Sequence, residues 1–311
     1  MARVLRVAAA QMGPIARRET RKEVVERLRA LMAAAHKEKC RLVVFTELAL
    51  TTFFPRWYMT DQAEVDHFFE REMPGPETRP LFDDAARLGI GFCLGYGELV
   101  HEGGTLHHYN TSILVDERGV IVGKYRKIHL PGHAEHDPQR AFQHLEKRYF
   151  EPGNLGFPVW RTMGGLIGMC ICNDRRWPET YRVMGLQGVE MVLLGFNTPS
   201  LNAVAREAPH LRMLHHLVPM QAGAYQNGTW VVAVAKCGTE EGVHHMGGTV
   251  IIAPTGEVVA EAKTEADEIL VHDCDLDRGR YIKDTIFNFA AHRRIEHYGL
   301  IASQVGEKPP P

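Results

Sequence analysis

Apolar and polar positions alternate along the chain in two rhythms, one of strands and one of helices. Val4 to Met12 reads as a strand interrupted by Arg6. From Glu19 to Lys39, residues Val24, Val25, Leu28, Leu31 and Met32 recur on one helical face with charges opposite, which predicts an amphipathic helix covering a sheet. The run RLVVFTEL (41–48) is continuously apolar up to Glu47 and predicts a strand buried on both faces. PLFDDAARLG (80–89) reads as a helix stopped by Gly89, and IGFCLGYGELV (90–100) as a strand. YNTSILVDERGVIVGKYRK (109–127) is a hairpin turning between Asp116 and Gly119.

The second half repeats this order. Strand GLIGMCIC (165–172), helix PETYRVMGLQG (178–188), strand VEMVLLGF (189–196), a long helix from about Glu207 to Gln226 and strand TWVVAVAKC (229–237) lead to a hairpin, TVIIAPTGEVVAEA (249–262), turning at Pro254 to Gly256. Two similar halves, each with helices outside a sheet layer, imply an α/β chain with weak two-fold internal repetition. No linker divides them, so residues 1–303 are expected to form a single domain, with 304–311 (VGEKPPP at its end) a disordered tail. The stretch between Leu130 and Phe157 is irregular and rich in Pro, Gly and His, and long loops in compact domains are more often functional than idle.

Composition narrows the function. Lys and Arg total 36 against 38 Asp and Glu in 311 residues, so no global field favours nucleic acid or an anionic membrane, and the expected partner is a small molecule. No apolar run approaches the ~18 residues of a membrane span. Six cysteines are too few for a disulfide scaffold, and most lie in apolar runs, which suits a reducing cytoplasm. His129, His133, His136 and His144 keep no metal-ligand spacing, because Pro131 and Gly132 break any shared helical face. No metal and no cofactor is expected.

GMCICNDRRWPE (168–179) holds the most chemistry in the fewest residues. Cys172 ends a strand and Pro178 opens a helix, a strand-turn-helix elbow that presents a side chain at the carboxyl end of a sheet. A metal knot and a redox pair are weak readings of Cys-x-Cys, and a buried structural cysteine competes with a nucleophile. Cys170, two residues deeper, reads as core. Glu47 at the end of its apolar run is either a surface acid or a general base, and Lys127 is either one more solvated cation beside Lys124 and Arg126 or part of the same edge. Arg175 and Arg176 are either partners of Asp174 and Glu179 or a carboxylate clamp.

Together, Glu47 in FTELAL, Lys127 in KYRKIHLP and Cys172 in ICNDRRWPE resemble the Glu-Lys-Cys triad of the nitrilase superfamily in order and context. ELALTTFFPRW, YRKIHLPGH, FQHLEKRYFEPG, ICNDRRWPET, NTPS, MQAGAYQNG and FNFAAHR are similar to the N-carbamoyl-D-amino acid amidohydrolases of that superfamily, from about Val4 to Ala302. Thr46 departs from the pattern, standing where proline usually precedes the glutamate.

The resemblance implies a four-layer α-β-β-α sandwich of nitrilase type with two pseudo-symmetric halves, assembled as a homodimer or homotetramer. It implies hydrolysis of N-carbamoyl-D-amino acids to the D-amino acid, ammonia and carbon dioxide, with Cys172 as nucleophile, Glu47 as base and Lys127 stabilising the oxyanion. Glu146 takes the place of a second glutamate in the pocket. Contacts to a substrate with a free carboxylate map to Asn173, Arg175, Arg176, Asn197 and Thr198, with His129 and His144 nearby. Another amidohydrolase of the superfamily (a β-ureidopropionase-like carbamoylase, an aliphatic amidase or a nitrilase) is the alternative. A non-catalytic thiol or metal-binding protein is the alternative of a different class.

Overall fold

The computed structural model describes residues 2–140, 142–201 and 207–310. In the first half lie strands β1 (Val4–Gln11), β2 (Leu42–Val44), β3 (Phe69–Glu70), β4 (Gly91–Glu102), β5 (Thr105–Val115) and β6 (Ile121–Arg126). In the second lie β7 (Val159–Thr162), β8 (Gly165–Ile171), β9 (Met191–Asn197), β10 (Trp230–Glu240), β11 (Val243–Met246), β12 (Val250–Ile252), β13 (Val258–Glu261) and β14 (Glu268–Asp275). They form two seven-stranded sheets, ordered β14-β1-β2-β4-β5-β6 with β3 beside β4, and β13-β12-β10-β9-β8-β7 with β11 beside β10.

The two sheets share one plan. β1, β2 and β4 are parallel, as are β8, β9 and β10, and antiparallel strands flank each trio. The pseudo-symmetric halves expected from the element order are present. Four strands were not anticipated: the short β3, β7 and β11, and β14, which crosses back to the first half and pairs antiparallel with all of β1, from Val4↔Asp275 to Gln11↔Glu268. β14 is a half-exposed edge strand carrying three acids, so it shows no long apolar run.

Burial explains the continuous runs of the inner strands. Val7, Ala9, Leu42 and Val44 pack toward the second sheet's Met169, Ile171, Met191 and Leu193, whereas Ala8, Ala10, Val43 and Phe45 pack with helical residues Val24, Leu28, Leu31, Leu81 and Phe82. Both faces of each strand are thus dry, and the sheets stack face to face with helices outside. Helix Arg21–Lys37 begins where Thr20 and Glu23 cap each other reciprocally. Helix Pro178–Leu186 opens on proline at its first position, as the elbow reading requires. The long second-half helix runs Pro209–Asn227, ended by Gly228 at φ +54°.

The predicted strand 41–48 is cut short. After Val44 the chain passes between the sheets, and this close approach depends on two glycines: a Cβ on Gly95 would lie 2.8 Å from Glu47 Cα, and one on Gly195 would lie 2.4 Å from Glu47 N. The first sheet supplies Gly95 and the second Gly195, so the Glu47 backbone is held from both sides. Thr46 uses its position there, donating its hydroxyl to the Phe196 carbonyl at 3.0 Å.

Residues 304–310 of the tail lie outside helices and strands, and Pro311 lies outside the described residues. Among the described residues no helix is long and apolar enough to cross a membrane.

Candidate active site

Three chain segments, each just past the carboxyl end of a strand, converge here. Glu47 follows β2, and Leu48 after it adopts φ +46°; Lys127 follows β6; Cys172 follows β8 at φ +48°. Positive φ is uncommon for side chains of this kind and costs on the order of 1–3 kcal/mol, so surrounding contacts must hold both turns.

Glu47 is fully buried, and each oxygen is engaged. Oε1 accepts from Lys127 Nζ at 2.7 Å and Asn110 Nδ2 at 2.8 Å, and Oε2 accepts from the Asn197 N–H at 2.9 Å. Lys127, also fully buried, makes its second ion pair with Glu146 Oε2 at 2.5 Å. Glu146 Oε1 in turn accepts from His144 Nε2 at 2.9 Å. One ammonium thus sits between two carboxylates with no water-exposed surface, an arrangement that persists only because every charge is paired. Burial opposes the lysine's charge, but Cys172, Glu146 and Glu47 together raise its pKa above the ordinary value. Burial likewise opposes the Glu146 carboxylate, while Lys127 and His144 hold its pKa below the ordinary range.

Cys172 is buried, its Sγ lying 3.7 Å from the Asn197 carbonyl. Burial, then the charge of Glu47, push the thiol up to about 11, against the opposing pull of Lys127 and Arg175. At neutral pH it is therefore a protonated thiol beside a carboxylate, which suits attack with concerted proton removal better than a standing thiolate.

Asp174 organises the elbow. Its carboxylate accepts from Ile171 N (3.0 Å), Tyr125 Oη (2.7 Å), His129 N (2.9 Å) and His129 Nδ1 (2.8 Å). His129 is stacked on Trp177 with ring centroids 4.7 Å apart. Asn173 Nδ2 donates to the His129 carbonyl at 3.1 Å. Sequence reasoning gave Asp174 only the role of a possible arginine partner, and nothing in its local pattern marks a fully buried acid.

The two arginines separate. Arg175 is 1% exposed and ties the elbow to its surroundings: Nη1 donates to the Cys172 carbonyl at 2.6 Å, Nη2 to Thr198 Oγ1 at 3.1 Å and Nε to His216 Nδ1 at 3.2 Å, with the guanidinium over Phe196. His216 is neutral, because burial and then Arg175 drive its pKa well below the ordinary value. Arg176 is half-buried and has one hydrogen-bond acceptor among the described residues, the His215 carbonyl at 3.5 Å. Neither arginine pairs with Asp174 or Glu179.

A cavity of about 790 Å³ opens here. Its wall includes Cys172, Asn173, Arg175, Arg176, Asn197, Thr198 and His144, together with Glu207, Arg212 and His215 from the second-half helix and the segment before it. Arg212 and His215 are both bonded to the Glu207 carboxylate. Asn197 has a structural task as well, because its Nδ2 donates to the Glu47 carbonyl at 3.0 Å, while its buried Oδ1 has no hydrogen-bond partner among the described residues. His129 is not among the residues of this wall; it is hydrogen-bonded to Asp174 and Asn173. Cys170 is core, 1% exposed. Among the described residues no group of three or more His, Cys, Asp or Glu side chains is arranged to hold a metal ion.

The carbon-nitrogen hydrolase family model matches residues 6–284. An N-carbamoylputrescine amidase of Solanum lycopersicum is 29% identical over 320 residues, covering 99% of this chain and 98% of the relative. A nitrilase of Pyrococcus abyssi is 31% identical, covering 86% of this chain and 90% of its own. Among solved structures, a carbon-nitrogen hydrolase from Helicobacter pylori G27 superposes with a TM-score of 0.82 at 24% identity, over 97% of this chain and 99% of that one. The nitrilase-type fold, the family match over most of the chain and the convergence of a buried cysteine, lysine and glutamate agree: the chain belongs to the carbon-nitrogen hydrolase family, the nitrilase superfamily, as an enzyme acting on amides with a cysteine nucleophile.

Proposed function

We propose that the enzyme hydrolyses a terminal carbamoyl amide, and that its preferred substrates are N-carbamoyl amino acids whose carboxylate is gripped by Arg176. In this reading Cys172 Sγ attacks the carbamoyl carbon as Glu47 removes the thiol proton. Lys127 stabilises the negative charge that develops on the carbamoyl oxygen. Collapse of the tetrahedral intermediate expels the nitrogen leaving group, which takes the proton back from Glu47, and Glu47 then activates the water that releases the acyl group. Glu146 keeps Lys127 in place through its 2.5 Å ion pair. Asn173, Asn197 and Thr198 contribute the polar edge that would orient the ureido group.

The carbamoyl part is supported by the relative named for N-carbamoylputrescine. The curated relatives favour a broader amidohydrolase reading over one restricted to D-amino acids, and the D restriction rests on motif resemblance alone. The carboxylate part is carried by one observation: a guanidinium on the cavity wall without a carboxylate partner among the described residues. A substrate carboxylate would complete it.

The test is ammonia release from a panel of N-carbamoyl-D-alanine, N-carbamoyl-L-alanine, N-carbamoylputrescine, propionamide and propionitrile. Highest kcat/KM on an N-carbamoyl alanine is expected, and preference for one enantiomer settles handedness. Faster turnover of the amide, the nitrile or the amine-ended ureide would overturn the carboxylate reading.

A further inference from the structure

A second buried charge cluster lies outside the reaction just described. Lys236 and Glu240, four residues apart on β10, meet Arg56 and His245, and all four are at most 5% exposed. Such a group is costly to bury unless its hydrogen bonds are complete. Besides the Lys236–Glu240 pair at 3.1 Å and a bond from Ile15 N to Glu240 Oε2 at 2.9 Å, they go to one loop, residues 51–57, which is the chain leaving Glu47. Lys236 Nζ donates to the Thr51 carbonyl at 2.8 Å, Glu240 Oε1 accepts from the Phe53 N–H at 2.7 Å, and Arg56 Nε donates to the Phe53 carbonyl at 2.9 Å. Arg56 Nη2 lies 2.5 Å from Glu240 Oε1 and 3.1 Å from His245 Nε2, and its Nη1 donates to the Glu240 carbonyl. One strand of the second sheet thus pins the loop at three points.

The other side of the loop holds the residues around Glu146. The Pro55 carbonyl accepts from Leu145 N at 2.8 Å and the Arg56 carbonyl accepts from Gln143 N at 3.3 Å, so both neighbours of His144 hang from it. The Phe53 ring meets the His144 ring edge-on at 5.4 Å. The same cluster reaches the opposite cavity wall, because His245 bridges Pro199 and the next residue, Met246, donates to the Thr198 carbonyl at 3.0 Å.

We infer that Arg56, locked to Glu240, is a positioning residue for the reaction: through the 51–57 loop it sets where Glu146 and His144 sit, and so where Lys127 is held. The inference rests on the amidohydrolase reading, though not on its carboxylate part. Lys127 has two carboxylate partners, and displacement of Glu146 by about 1 Å is enough to cost on the order of a hundredfold in rate when a catalytic group moves with it.

The experiment is a double-mutant cycle on the full-length enzyme with Arg56→Lys, Glu146→Gln and the pair, using the best substrate of the panel above. Rates are normalised to Cys172 titrated by iodoacetamide. Arg56→Lys keeps the charge and removes the fork that reaches Glu240 and His245 together. The expected result is a kcat about 10- to 100-fold lower with KM changed less than about threefold, and a double variant no worse than Glu146→Gln alone. Full activity in Arg56→Lys, or losses that multiply in the double variant, would overturn the inference, since a clamp that only stabilised the fold would act independently of Glu146. Glu240→Gln runs the same cycle with the same expectation if Arg56→Lys does not fold. If the wild type turns over the plain amide in preference to the carbamoyl amino acid, the cycle is run on that amide; the carboxylate reading then falls while the positioning inference stands or falls on the cycle.

Discussion

Arg176→Met isolates the substrate's charged end from the bond that is broken. Among the described residues the guanidinium has one long hydrogen bond, to the His215 carbonyl at 3.5 Å. Burial, then the neighbouring Arg175 and Arg212, bring its pKa down to about 10, so it remains a cation at neutral pH and an under-satisfied one. A hydrogen bond to a charged group contributes roughly 1.5–3 kcal/mol, which at about 1.4 kcal/mol per tenfold corresponds to about 10- to 150-fold in kcat/KM for a substrate carboxylate. The loss should fall mainly on KM, because the carboxylate is gripped equally before and during reaction. A neutral amide such as propionamide should change by less than about threefold, since nothing in it reaches Arg176. Initial rates of ammonia release on both substrates measure the split. Equal losses on the two substrates would refute the assignment.

Gly195→Ala puts a methyl group 2.4 Å from Glu47 N and 2.6 Å from the Thr46 carbonyl carbon, both backbone atoms; it should lower the unfolding temperature by overpacking of about 1–3 kcal/mol and depress kcat, and unchanged kcat would count against the sheet-to-sheet clamp on Glu47. Glu47→Gln removes the carboxylate that, after burial, raises the Cys172 thiol to about 11, so the midpoint of iodoacetamide alkylation against pH should move down even as turnover is lost; a midpoint that stays put would separate Glu47 from the thiol. Buried thiols also set an alkaline limit to stability. Burial raises Cys40 to about 11 and Cys93 and Cys237 to about 12, above the ordinary 9.0. The folded state therefore keeps protons that the unfolded state releases, and the unfolding temperature should fall as pH rises above about 9. A flat profile between pH 8 and 11 would contradict this.

The parts of the site that were legible in the sequence are those where a chemical residue interrupts an apolar rhythm. Glu47 and Cys172 end apolar runs; each alone also had a bland reading, as a surface acid or a buried structural cysteine, and only their occurrence together with Lys127 in the triad's order and context tipped the balance. Lys127 alone had a bland reading too, since Lys124 and Arg126 flank it and period-two alternation does not say which of three cations turns inward. Arg175 and Asn197 were expected to contact substrate. The structure puts both on the cavity wall and adds structural bonds to each: Arg175 has acceptors in the Cys172 carbonyl, Thr198 and His216, and Asn197 bonds the backbone and carboxylate of Glu47. Such long-range bonds join residues up to 150 positions apart, and no local pattern encodes them. The same limit hid Asp174 and Arg56, whose burial depends on segments far away in the chain. The stacking of two sheets was likewise absent from the periodicity, which reports that a strand is buried on both faces and not what covers each one.

The central claim is that Cys172 carries the acyl group. It is tested most directly by mass spectrometry of an acid-quenched reaction of the Glu47→Gln variant with an N-carbamoyl amino acid, in which release of the acyl group is slowed. The account predicts a carbamoyl adduct on the residue-172 position of the peptide that contains both Cys170 and Cys172, and its disappearance in Cys172→Ala. Turnover that persists in Cys172→Ala, or an adduct on Cys170 instead, would contradict it.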